Sequence, residues 1–108
     1  MYVAMNRFKI AAGRERDFED TWSRRESHLD EVPGFVAFHL LRGATSDGIT
    51  PYVSHSTWES AEAFRRWTES EAFAAAHASA RPPSGTVAGP PQFEGFEAVD
   101  VGPAGRRS

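Results

Sequence analysis

Cysteine is absent from this 108-residue chain, which excludes disulfides, thiolate metal sites, iron–sulfur clusters and a cysteine nucleophile. No apolar run approaches the ~20 residues that a membrane-crossing helix needs, so no membrane partner is expected. Positive charge is not in excess either: 12 Lys and Arg stand against 15 Asp and Glu, a net charge of -3 with both signs interspersed. That leaves no electrostatic footprint for a phosphate backbone and no polybasic arm, and nucleic acid is not an expected partner. A Gly-rich nucleotide fingerprint is missing, as is an internal repeat. The first residues show no basic region, apolar core and cleavage site of the secretory kind, so cytoplasmic residence is the expectation.

What is present suits one folded domain. Hydrophobic residues make up 40% and aromatics 12% of the chain, enough for a single core at this length and too little for two. Tyr2 to Ile10 alternates, and its face of Tyr2, Ala4, Asn6, Phe8 and Ile10 is apolar except at Asn6. Gly13 breaks the strand, and Phe18, Trp22 and Leu29 then share one face of a predicted helix of roughly 17 residues that ends near Val32-Pro33-Gly34. Phe35–Arg42 and Tyr52–Trp58 read as a second and third strand, paired antiparallel across a turn. Helical signal resumes at Glu59 with Ala61, Phe64 and Trp67, and Ser70-Glu71 starts another short helix through Phe73 and His77. The stretch Arg81–Pro91 holds four prolines and two glycines and is predicted as a surface loop. A last strand begins at Phe93 and carries Val99 and Val101.

The order βαββαβ predicts an α+β, ferredoxin-like domain over residues 1–101, with one antiparallel four-stranded sheet and its helices on a single face. Residues 102–108 are expected to be a flexible tail. Aromatic and aliphatic residues occur on both faces of several strands, so a second copy is the expected cover for the open face, giving a homodimer.

Three residues stand out as candidate site residues. His77 sits in the run Ala74-Ala75-Ala76-His77-Ala78-Ser79-Ala80, where methyl-sized neighbours let a large flat ligand approach an imidazole. Haem is such a ligand, and a neutral imidazole is a standard ligand of its iron. Asn6 is a polar group on an apolar strand face. Trp67 closes a helical stretch, ten residues before His77. Read singly, each also has a structural explanation: a buried amide bonded to a neighbouring strand, a core indole, an imidazole bonded to a carbonyl. His28, His39 and His55 raise the idea of a metal cluster, but their spacings match no common ligand motif and they read as surface or sheet-face residues. Ser54, Ser56 and the histidines lack the context of a hydrolase nucleophile.

Taken together, Asn6 in Met5-Asn6-Arg7-Phe8, the Pro33-Gly34-Phe35 corner, Trp58-Glu59-Ser60, Phe64-x-x-Trp67 and Ala76-His77 resemble the small dimeric haem-degrading monooxygenases of the IsdG type, within the antibiotic-biosynthesis-monooxygenase superfamily. The likeness runs to about Val101. It implies two ferredoxin-like subunits forming a dimeric β-barrel, each with its own haem pocket between sheet and helices. His77 would be the axial ligand to iron. Trp67 would press the macrocycle out of plane, and Asn6 would lie on the distal side and hydrogen-bond the oxygen species bound there. The porphyrin would be both cofactor and substrate, opened with O₂ and electrons from a separate reductase, with release of iron.

The physical chemistry of those side chains agrees. An amide hydrogen-bonds without the cost of a buried charge, and an indole is stiff. For the propionates, Arg24, Arg25, Arg65, Arg66 and Arg81 are available and none is singled out. Two other readings stand beside this one: a cofactor-free monooxygenase of the same superfamily acting on an anthrone or quinol, which needs no iron ligand, and a non-catalytic haem-binding dimer.

Overall fold

The computed structural model describes residues 1–24, 29–79 and 82–102. Its elements run β1 (Tyr2–Ala11), α1 (Glu15–Arg24), a 3-10 turn (Leu29–Glu31), β2 (Phe35–Arg42), β3 (Ile49–Trp58), α2 (Ala61–Thr68), α3 (Glu71–Ser79) and β4 (Gln92–Glu97). The strands form one sheet in the order β2-β3-β1-β4, and every neighbouring pair is antiparallel. This is the expected ferredoxin-like α+β arrangement.

Local chemistry explains where the elements start and stop. Glu15 and Asp17 stand in the first turn of α1 and Arg24 in its last, each sign placed where the helix dipole favours it. Ser60 caps α2 by accepting from the Ala63 N–H at 3.1 Å. The break between α2 and α3 turns on Ser70: its hydroxyl donates to the Trp67 carbonyl at 2.6 Å and accepts from the Phe73 N–H at 3.2 Å. One side chain thus ends one helix and starts the next, fixing Trp67 and Phe73 relative to each other. At the entry to β2, Gly34 has φ +85° and its missing Cβ would lie 2.5 Å from that of Ala63. Only glycine permits both that backbone and that closeness of strand to helix.

Several elements depart from the sequence pattern. The described helix α1 ends at Arg24; positions 25–28 lie outside the described residues, and Leu29 returns in the 3-10 turn. Strand β3 begins at Ile49 rather than Tyr52 and takes in Pro51, which pairs with Lys9. The Pro51 carbonyl accepts from the Gly43 N–H at 2.8 Å, so the prolyl nitrogen faces Gly43 just past the end of β2, and only the one reciprocal bond at that end of the ladder goes unmade. The segment after α3 is irregular as expected, yet it does not merely cross the surface. Thr86 is fully buried, its carbonyl accepts from the Ala11 N–H, and the Ala88 N–H donates to the Lys9 carbonyl, so the loop prolongs the sheet edge beyond β4. Strand β4 ends at Glu97, whose partner is Tyr2, and Val99 and Val101 are exposed outside it. Of the expected tail, positions 103–108 lie outside the described residues.

Alternation sorts the sheet into two faces. Tyr2, Ala4, Asn6, Phe8 and Ile10 of β1 and Tyr52, Ser54, Ser56 and Trp58 of β3 share the helix-covered face. Packing there forms two clusters. One gathers Ala4, Leu29, Trp58 and Trp67 with Phe64 and Phe73 against them, and the other gathers Ile10, Phe18 and Tyr52 with Phe8 and Trp22. Burial pushes the Tyr52 phenol up to about 12, so it stays protonated and donates to Glu19 of α1, which Arg42 also engages at 3.0 Å. On β4, Gly95 faces Tyr2 so closely that an added Cβ would lie 1.9 Å from its hydroxyl oxygen.

Candidate active site

Between the two packed clusters the helix-covered face is hollow. The cavity measures about 460 Å³, within the range of pockets that take small molecules and cofactors. Its floor is Ala4, Asn6 and Phe8 of β1 with Ser54 and Ser56 of β3. Phe38 and Phe93 contribute from the two edge strands, and Trp22, Trp67 and Phe73 from the three helices. Pro82 and Val87 of the loop close a further side. No charged side chain lines the cavity among the described residues.

The aromatic walls are mutually supported. Trp67 stands edge-on to Phe73 with ring centroids 4.8 Å apart and lies 5.4 Å from Trp58. Phe64 stacks on Phe93 at 5.6 Å, and Trp22 stacks on Phe38 at 5.4 Å. Such pairs fix ring orientation beyond what area burial alone does. The void therefore has flat, stiff sides.

Its polar groups divide into occupied and unoccupied. The Ser56 hydroxyl donates to the Ala4 carbonyl and accepts from Trp58 Nε1; Thr21 and Thr68 donate back to their own helix carbonyls. By contrast, Trp67 is 7% exposed and its Nε1 is a buried donor with no partner. Asn6 and Ser54 are directly opposed across β1 and β3, Ser54 is buried, and neither side chain makes a hydrogen bond among the described residues. Orphaned buried polar groups are uncommon in native structures. A buried indole donor left so on an apolar cavity, beside Asn6 and Ser54 side chains with no hydrogen bond among the described residues, marks it as a place for a ligand that supplies the missing partners.

Of the residues singled out in the sequence, Asn6 and Trp67 are brought to this one cavity. The backbone of His77 lies in α3, four residues beyond Phe73; its side chain lies outside the described residues. Arg65 and Arg66 are on α2 near Glu62, at 3.9 and 2.8 Å, and line no part of the cavity; Arg24 ends α1. Arg25, His28 and Arg81 lie outside the described residues. Sequence reasoning gave Ser54 no role at this site, because its position opposite Asn6 depends on strand register. Trp67 also lines a second, charge-rimmed cavity of about 580 Å³ with Glu31, Glu59, Glu62 and Arg66.

Comparisons with known proteins agree with this architecture. Residues 1–79 match the family described as antibiotic biosynthesis monooxygenase. The chain is similar to the heme oxygenase (mycobilin-producing) of Mycobacterium tuberculosis, 35% identical over 105 residues, covering 96% of this chain and 95% of that protein. Among solved structures it is similar to the haem-degrader MhuD of Mycobacterium tuberculosis with two haems bound in its active site: 31% identity, TM-score 0.70, covering 94% of this chain and 100% of that one. The cofactor-independent oxygenase SnoaB of Streptomyces nogalater shares the fold at 24% identity, TM-score 0.66, covering 94% of this chain and 97% of that one.

Proposed function

As the chain belongs to the antibiotic biosynthesis monooxygenase family, we propose that it is a haem oxygenase: it takes haem into the cavity between sheet and helices and opens the porphyrin ring oxidatively. The observation that carries the reading is the cavity itself, flat-walled, uncharged among its described lining and provided with three unpartnered polar groups at Asn6, Ser54 and Trp67. The relatives that degrade haem at 31% and 35% identity support it. The cofactor-independent oxygenase is similar in fold alone.

The residues present fit the group. His77 would hold the iron: its backbone lies one helical turn beyond Phe73, which lines the cavity. Bound haem, supplied with O₂ and with electrons from a separate reductase, furnishes the oxidising chemistry. The chain's own side chains bind and orient. Trp67 would set a stiff wall against the macrocycle, held by Trp58, Phe64 and Phe73 packed around it. Asn6 would present a neutral amide to the reacting face, with Ser54 directly opposite it on β3. Apolar walls exclude bulk water from the reacting centre.

Haem titration tests the reading. A saturable Soret shift, followed by loss of the band under air with an electron donor and release of iron, is expected. No shift would overturn it in favour of the cofactor-free chemistry, whereas a band that persists would leave a haem-binding protein without turnover.

Trp67 carries two burdens, and its variants separate them. Trp67→Ala empties a buried site and is expected to cost about 3–5 kcal/mol of stability while slowing haem breakdown. Trp67→Phe keeps the ring contacts and is expected to cost less on both counts. Denaturant unfolding and turnover measured together check this; a Phe variant as slow as the Ala variant would assign the role to the indole itself.

The open sheet face supports the homodimer. Val3, Met5, Leu41, Val53 and Phe96 point there with no helix over them, and Leu41 and Phe96 are 47% and 48% exposed. A second copy, sheet stacked on sheet, would bury them, and a dimeric mass in solution is expected.

A further inference from the structure

His39 and His55 occupy directly opposed positions on β2 and β3, on the sheet face away from the haem cavity. Their ring centroids are 6.3 Å apart and the planes are inclined at 59°. Neither imidazole has a hydrogen-bond or ion-pair partner among the described residues. Around them the face is largely apolar: Ala37 and Leu41 flank His39, Val53 and Thr57 flank His55, and Met5 is the next residue across on β1, with Arg7 beside it opposite Val53. The carboxylate in that row, Glu94, lies one strand further on and is paired with Arg7.

We propose that His39 and His55 form a site for a divalent transition-metal cation of the zinc type, and that a second copy stacked on this face completes it with its own His39 and His55. Opposed residues on antiparallel strands have their Cβ atoms about 4.5–5.5 Å apart, and two imidazole nitrogens on one tetrahedral zinc stand about 3.3 Å apart, from bonds of 2.0–2.1 Å. Rotation about χ1 and χ2 closes the rings to that span without moving the backbone. Neutral nitrogen donors with no carboxylate in reach select zinc, copper or nickel over calcium or magnesium. Stacked sheets lie about 10 Å apart, so imidazoles rising from two opposed faces meet near the mid-plane. Without a cation, the same stacking would press unpartnered polar rings against apolar neighbours, which is unfavourable. A shared metal turns that cost into a link between subunits.

The four-ligand form rests on the dimer proposed above but not on haem, and the experiment keeps them apart. ZnCl₂ is titrated into the full chain, free of haem, by calorimetry, with sedimentation equilibrium at zero and saturating zinc, for wild type, His39→Asn and His55→Asn. Expected are one zinc per two chains, a dimer dissociation constant lowered by at least about tenfold through linkage, and loss of both in either variant. A haem titration of the same samples should be unchanged, because the cavity lies on the other face and both substitutions are at the sheet surface. Zinc bound equally by the two variants, one zinc per chain without tighter association, or no saturable binding would each overturn the proposal. The zinc readouts need no haem, so a failed haem titration counts against the cavity reading alone.

Discussion

His77→Ala is expected to weaken haem binding by at least about tenfold and to abolish ring opening, the largest loss of any single substitution in the chain. On the proposed reading, the imidazole would hold the iron and so fix the ligand in the cavity. Without it, haem would be held only by apolar contact and by Asn6, Ser54 and Trp67. The substitution is gentle on the fold, because alanine is the best helix former and already dominates α3. Unchanged helical circular dichroism with a lost Soret shift would therefore locate the defect in ligation. Normal turnover in the variant would remove His77 from the iron.

Asn6→Ala should separate binding from chemistry. Its side chain stands on the cavity floor with no protein partner among the described residues, so its removal strands no other group and affinity for haem should change little. Turnover should fall by about 10²–10³-fold, the usual consequence of deleting one aimed hydrogen-bond donor in a water-excluded site. Parallel Soret titration and single-turnover decay measure the two quantities. Equal losses in both would reduce Asn6 to a contact residue, and unaltered decay would remove it from the reaction. Asn6→Asp provides the complementary case: an anion in a cavity with no charged neighbour among its described lining is costly to bury, so it should impair stability as well as turnover.

Much of the fold could be read from the alternation of β1, the glycine and proline punctuation and the serine caps, because each acts over a few residues. Ser70 is such a local signal, and α3 starts where it stands, whereas the helix expected from Glu59 starts two residues later behind its Ser60 cap. Harder to read were features fixed by a neighbour in space. Pro51 sits inside β3 because it stands at the end of the β2 ladder, where only its carbonyl is engaged, by Gly43, and Thr86 is buried because the edge of β1 has room beyond β4. For the cavity, Asn6 and Trp67 were legible as an odd polar residue and a large ring in pattern. Ser54 was not, since only the register of β1 on β3 brings it opposite Asn6. The adjacency of His39 and His55 was hidden for the same reason: cross-strand pairing, not sequence spacing, joins them.

At Gly95 a side chain is missing where Tyr2 leans across β4. Tyr2 abuts Phe64 at 5.6 Å, and Phe64 in turn rests on Phe93 and Trp67. A single methyl group added at that glycine would have to displace the phenol, and the shift would be handed from ring to ring into the cavity. Its width is thus governed by a residue that never borders it.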